Sequence, residues 1–498
     1  MVRYKLLGAS ALTLTLLSGC AVTPEPLTPS QISVRAQQNV AAVTANQEPV
    51  AGQISLHEAM ARGLKYNLDY KVEMMEEALK VRELDLSRYD MLPQLVATGG
   101  YGGRNNYAGA RSRSLLSGRE SLEPSTSSER DVLSADLTLS WDVLDFGLSY
   151  VRAKQKADAV LISMERRRKV ANRIVEDVRT AYWRAVSCER LLGKLKELES
   201  NVGTTLGNSQ RLAERRLSAP LVALTYQREL IDIQAEIKRL QRELVDAKSQ
   251  LAALMNLAPG TEFSLVLPDR STEMPAVNLD RDTMMLAALR NRPELREASY
   301  RERINVKELD TALLRMLPSF RGVLGINADS NDFLYNNDWI NYGARASFNL
   351  LNIFRYPAEK KTIQAQGDLL RQRELALTMA VMTQVSVARA RYAHLTDELQ
   401  VAEHRYKVQQ KILEQVRSGE RVGTMSRQSL LREEMNTLAS EVKYDITYAD
   451  AQNSYANLFA SMGVDNFGPD VSGREGVADL TRSLETLWAG RATNLTLD

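Results

Sequence analysis

Only two of the 498 residues are cysteines and only three are histidines. Two cysteines cannot build a disulfide scaffold. His57, His394 and His404 have no cysteine or carboxylate set at metal-ligand spacing, so no metal site is expected. The net charge of +2 provides no basic field, which excludes nucleic acid as a partner. Beyond the N-terminal segment there is no run of 18 apolar residues, hence no transmembrane helix. A crossing of a membrane must then be made by strands in a closed barrel. No Ser/His/Asp arrangement or carboxylate pair stands out, and Gly99–Gly103 lead to a polar loop, not to the helix a phosphate loop needs. No catalytic residue, cofactor or enzyme activity is expected.

The N-terminus points to a compartment. Arg3 and Lys5 precede an apolar run over 6–17, too short to span a bilayer. Leu17-Ser18-Gly19-Cys20 resembles a bacterial lipobox. Residues 1–19 are expected to be a lipoprotein signal peptide and Cys20 the lipid-attachment site. Stable anchoring takes more than one acyl chain (palmitate among them). Ala21, in place of Asp, leans towards the outer membrane. Residues 20–54 hold Pro24, Pro26, Pro29 and Pro49 and read as an extended tether. With Cys20 lipidated, no disulfide to Cys188 is expected, and Cys188 is assigned to packing.

What is present is a duplication. VRELDLSRYDMLP (81–93) returns as VKELDTALLRMLP (306–318), with seven identities. LSWDVLDFG around Trp141 returns as ASFNLLNIF around Phe348, and RRLSAPLVALTYQRE (215–229) aligns with ERVGTMSRQSLLREE (420–434). The unit of about two hundred residues far exceeds a solenoid repeat. The first repeat is placed at 55–260 and the second at 281–464, with a linker at 261–280 and a tail at 465–498 expected to pack poorly.

Each unit reads helix, two strands, very long helix, turn, helix. The spacing of Ser55 and Glu58 predicts a capped helix running to about residue 91. Strands are predicted at 94–103 and 131–145, then 319–328 and 339–350, joined by polar loops. Long helices are predicted over 147–217, which contains no proline, and over 357–418, with Pro357 in its first turn. Leu230, Ile233, Ile237, Leu240, Leu244, Ala247, Leu251 and Leu254 are spaced 3, 4, 3, 4, 3, 4, 3, a coiled-coil seam. The polar remainder suits a hollow helical cylinder better than a solid core. Glu165, Arg166, Arg167, Arg168 and Lys169 read as a solvated face.

The duplicated plan, the MLP ends at Pro93 and Pro318, the junctions at Asp145-Phe146-Gly147 and Asn352-Ile353-Phe354, and the turn Arg421-Val422-Gly423-Thr424 together resemble the TolC-like outer-membrane efflux channels, in their lipoprotein branch. The resemblance covers 55–464. It implies a mainly α protein with a membrane β-barrel portion. Coiled-coil hairpins would form an α-barrel, and each protomer of a homotrimer would give four strands to a shared 12-stranded barrel. The strand count agrees: four cannot close a barrel, bacterial barrels have even numbers from eight, and three copies give twelve.

By the same resemblance Arg216, Leu217, Ser218 and Ala219, with Arg421, Val422, Gly423 and Thr424, form a periplasmic tip that meets a membrane-fusion adaptor. Gly423 would supply a positive φ there. The implied role is an exit duct for small molecules, in the outer membrane, driven by an inner-membrane pump. Two alternatives stay open: the outer component of a type I protein secretion system, and a lipid-anchored coiled-coil protein with no channel. At the gate, the positions that carry carboxylates in the family's best-known member fall on Ser429 and Arg432, followed by Glu433 and Glu434. Either Arg432 locks protomers through Glu433 or Glu434, or the run is a solvated face. Trp141 and Trp339 are expected at the membrane interface as a girdle within the lipid bilayer.

Overall fold

Each repeat opens on a broken helix, and both breaks fall at the same place. The computed structural model describes residues 24–215, 220–270, 273–277, 279–464 and 475–490, apart from the side chains of Cys188, Leu212 and Leu244. After the first described helix, α1 (Pro29–Val43), and a two-residue strand, β1 (Gln53–Ile54), come α2 (Leu56–Tyr66) and α3 (Leu68–Tyr89). Asn67 separates them with ψ 130°, its side chain accepting from the N–H of Asp69 at 3.0 Å. In the second repeat Arg292 separates α6 (Arg281–Asn291) from α7 (Pro293–Leu314) with ψ 127°. There the following proline disfavours the helical region. The single helix expected to reach residue 91 is therefore two. Asn67 stands 26 residues before Pro93, as Arg292 does before Pro318.

The strands are β2 (Gln94–Gly103), β3 (Asp131–Asp142), β5 (Ser319–Asp329) and β6 (Asp338–Ser347). β3 stops three residues short of the expected end because the Asp142 carboxylate accepts from the N–H of Leu144 at 2.9 Å, starting the next helix. That helix, α4 (Val143–Glu214), has 72 residues, and its counterpart α8 (Leu351–Arg421) has 71. At 1.5 Å per residue each is about 107 Å long. α8 begins before Pro357, which therefore lies inside it, not in its first turn. The return helices are α5 (Pro220–Leu254) and α9 (Arg427–Ser461). The predicted seam of α5 is the buried one: Leu230, Ile237 and Leu251 are fully buried, and its lower part packs on Leu191, Leu195 and Leu198 of α4 and on Leu431 and Met435 of α9.

Midway along α4, a core gathers Met60 and Leu64 of α2, Ile174, Val178 and Tyr182 of α4, and Met255. β4 (Ser264–Leu265), in the linker, pairs parallel with β1 beside it. The helix α10 (Val477–Gly490) inserts Val477, Leu480 and Leu484 into this core. Within the tail expected to be loose, the described helix over 477–490 is packed there. Its apolar positions recur at helical spacing, enough to bury one face. The expected extended tether is also corrected, since Thr28 caps α1 in a full capping box with Gln31.

The charge run of α4 is no solvated face. Arg167 reaches Glu77 of α3 at 2.7 Å, Arg166 reaches Glu297 of α7 at 3.1 Å, and Arg168 donates to the Gly463 carbonyl at 2.6 Å. Successive helical residues turn by about 100°, so a continuous run addresses neighbours on every side.

Candidate functional site

Residues facing each other across an antiparallel ladder share a face of the sheet. The register aligns Leu95, Leu139, Leu324 and Tyr342 in one row, and Ala97, Leu137, Ile326 and Ile340 in the next. Trp141 and Phe320 lie on this face at its helix-proximal end, and Trp141 meets Phe146 of α4 edge-on at 5.7 Å. The opposite face carries Thr98, Asp136 and Asn327 in one row and Asp142, Arg321 and Arg345 in another. Arg321 lies 3.5 Å from Asp142, and Asn327 donates to Asn341 at 2.6 Å. One face is thus apolar and uncharged between its rims, and the other is polar. Ten residues at 3.4 Å, tilted by about 40°, give an apolar band about 26 Å tall, the height of an outer-membrane barrel.

The sheet order is β2-β3-β5-β6, all antiparallel, which leaves β2 and β6 as edges. The helices repeat that order. α4 packs on α3 and α7, and α7 on α8; farther down, α4 packs on α5 and α9, and α9 on α8. So β2, α3 and α5 bound one flank, and β6 and α8 the other. Each flank exposes apolar side chains: Val72, Met75 and Leu79 on α3, and Leu369 on α8.

At the far end α8 turns into α9 over 422–426. Gly423 has φ +80°, and the Thr424 N–H closes the turn on the Gly419 carbonyl at 2.9 Å. Ser426 caps α9 by accepting from the Ser429 N–H at 3.1 Å. Beside the tip, Asn201, Thr204, Leu221, Tyr226, Arg427 and Gln428 line a cleft of about 750 Å³.

No protein-family model and no curated protein matches this sequence. Solved structures do. The Campylobacter jejuni CmeC outer membrane channel superposes over 93% of this chain and 98% of its own, at a TM-score of 0.63 and 13% identity. The open state of the Neisseria gonorrhoeae MtrE outer membrane channel covers 84% of this chain and 94% of its own, at 0.62 and 15%. CusC, described in terms of folding and transmembrane channel formation, covers 84% and 96%, at 0.62 and 18%. The chain has the TolC-like fold.

Within this TolC-like fold the expected site residues fall unevenly. Cys20, Arg216, Leu217, Ser218 and Ala219 lie outside the described residues. Arg421, Val422, Gly423 and Thr424 form the one described hairpin turn. Trp141 is on the apolar face, but Trp339 pairs with Asn327 and so stands on the polar face. The two tryptophans expected to act alike therefore stand on opposite faces of the sheet, because alternation fixes a residue's face only relative to its own strand. Of the gate residues, Ser429 meets the Ser426 hydroxyl at 3.0 Å. Glu433 accepts from Gln409 at 2.6 Å, and Glu434 from Arg417 at 3.3 Å. Arg432 turns from both to Glu229 of α5, which also accepts from Gln428. Glu229 and Gln428 were missed from the sequence. Their only signal was that both lie in the aligned stretches that follow the two tips.

Proposed function

We propose that three copies of this chain close a 12-stranded barrel in the outer membrane and hang a helical cylinder into the periplasm. The assembly is the passive exit duct of a tripartite efflux system. The observation that carries this reading is the agreement of the open edges. β2 runs away from the helices and β6 returns to them, so β6 of one copy meets β2 of the next antiparallel, continuing the pattern within the chain. The same rotation brings the side of α8 that exposes Leu369 onto α3 and α5 of the next copy. Free edges invite pairing, and closure abolishes them. Eight strands from two copies would leave an interior just wide enough for side chains. A wall bearing Asp136, Arg321, Arg345 and Trp339 calls for a wider, wet lumen, which twelve strands provide.

Cys20, in this reading, holds lipid in the inner leaflet of that membrane. The tip turn and the adjoining cleft receive a periplasmic adaptor, which couples the duct to an inner-membrane pump that supplies the energy. The test is native mass spectrometry of the detergent-solubilised protein together with conductance in planar bilayers. A trimer with discrete conductance steps is the expected result. A monomer that conducts nothing would sink the proposal and favour a non-channel scaffold.

A further inference from the structure

Helix α1 has every mark of a specified helix except a partner among the described residues. Its start carries a full capping box and Pro29 at the first turn, yet none of its 15 residues is buried. A helix of this length is marginal in water on its own, and in proteins its stability comes from packing an apolar face. Such a face exists. Ile32, Ala36, Val40 and Val43 follow one another at i, i+4, i+8 and i+11, and Val40 is 73% exposed.

The position of α1 identifies what covers that face. Its C-terminal end is pinned: Asn256 donates to the Val43 carbonyl at 2.7 Å, and Gln47 donates to the Asn256 carbonyl at 2.5 Å. Glu48 then accepts from Lys65 at 2.5 Å, and its N–H donates to the Tyr66 hydroxyl at 2.9 Å. These anchors sit at the end of α5 and at the α2–α3 break, on the flank that is open to the next copy. Asn256 lies level with Val178 of α4, about 35 residues or about 52 Å below the sheet. α1 spans about 22 Å, and residues 20–28, extended, about 28 Å more. A lipidated Cys20 reaches the bilayer only if α1 runs upward along the outside, close to taut. The helix itself then lies about 30–50 Å below the sheet, out of reach of lipid headgroups. At that level the neighbouring copy presents Leu375 and Met379 of α8, both exposed in the single chain.

We infer that α1 is a strap that docks, through Ile32, Ala36, Val40 and Val43, on α8 of the neighbouring copy beside Leu375 and Met379. The inference rests on the cyclic assembly and the lipidated Cys20 proposed above and adds to them a contact outside the barrel and cylinder walls. Placing p-benzoylphenylalanine at Val40 of the full chain in native membranes and irradiating tests it. The expected product is a two-chain band whose cross-linked peptide comes from about residues 370–390 of α8. The same probe at Val34, on the opposite face, is expected to give none. Ala36→Pro should abolish the Val40 product and lower the temperature at which the multimer dissociates.

A Val40 product within one chain, a lipid adduct, or no product from an intact multimer each overturns the strap while leaving the ring standing. Persistence of the product in Ala36→Pro overturns the helical docking. Absence of any multimer by native mass spectrometry overturns the ring first and the strap with it.

Discussion

Arg432 of α9 is ion-paired with Glu229 of α5, joining the return helices of the two repeats close to the tip. The two residues come from equivalent stretches of the duplicated sequence, and the bond holds the hairpins of one chain together. Both side chains keep partial access to solvent, so the pair contributes about 0.5–1 kcal/mol. That is too little to unfold the chain but enough to shift a two-state tip about two- to fivefold. Arg432→Ala and Glu229→Gln should each raise the open fraction by about that factor, read from single-channel records in planar bilayers. Unchanged records from both variants would remove the pair from the gate.

Gly423 takes φ +80° in the α8–α9 turn, with nothing within 4 Å of where a Cβ would stand. The difficulty for a substituent there is backbone strain, not space. Gly423→Val should cost about 1–2 kcal/mol, and Gly423→Asn less. Hydrogen exchange at the Thr424 N–H, which closes the turn on Gly419, should speed up about tenfold in the valine variant and remain slow in the barrel strands. Equal exchange in the two proteins would mean the turn does not depend on this conformation.

Trp141 and Trp339 stand on opposite faces of the sheet, and in the proposed barrel these are the lipid side and the lumen side. In proteins reduced to one of these two tryptophans, brominated lipid should quench Trp141 and leave Trp339 bright. Acrylamide in the buffer should do the reverse. Equal quenching of both by lipid would contradict the sidedness of the wall.

Glu48 couples the strap anchor to the C-terminal helix, accepting from Lys65 and from the Val477 N–H at 3.2 Å. The hydrogen bond from Lys65, chiefly, holds its carboxyl below the ordinary value of 4.5, against the opposing effect of burial. A lowered pKa in the folded state means that the ionised form favours folding. The contribution is complete above pH 4.5 and is lost as pH falls through the lowered value. Acid should therefore release α10 before the long helices melt, seen as faster exchange around Leu480. Glu48→Gln should show that faster exchange already at pH 7, and slow exchange in it at pH 7 would exclude the coupling.

Much of the architecture could be read from local spacing. The alternation of β3, the 3-and-4 spacing of α5 and the duplicated MLP ends are properties of short windows, and short windows determine element type. The Gly423 turn belongs with them, since a positive φ selects glycine whatever surrounds it. The break at Asn67 was less legible, because no proline marks it as Pro293 marks its counterpart.

The sequence by itself determined the repeat, the order of its main elements and the four strands of the larger sheet, all consequences of backbone preference and periodicity along one chain. Only the tertiary structure decided that Trp339 faces the polar side, that the run from Glu165 to Lys169 ties α4 to its neighbours, that Arg432 pairs with Glu229, and that α10 is buried while α1 is bare. Each of these depends on what lies across a gap from the residue. Side-chain partners are chosen by distance in space, and the order of residues along the chain does not encode that distance until both repeats have folded against each other.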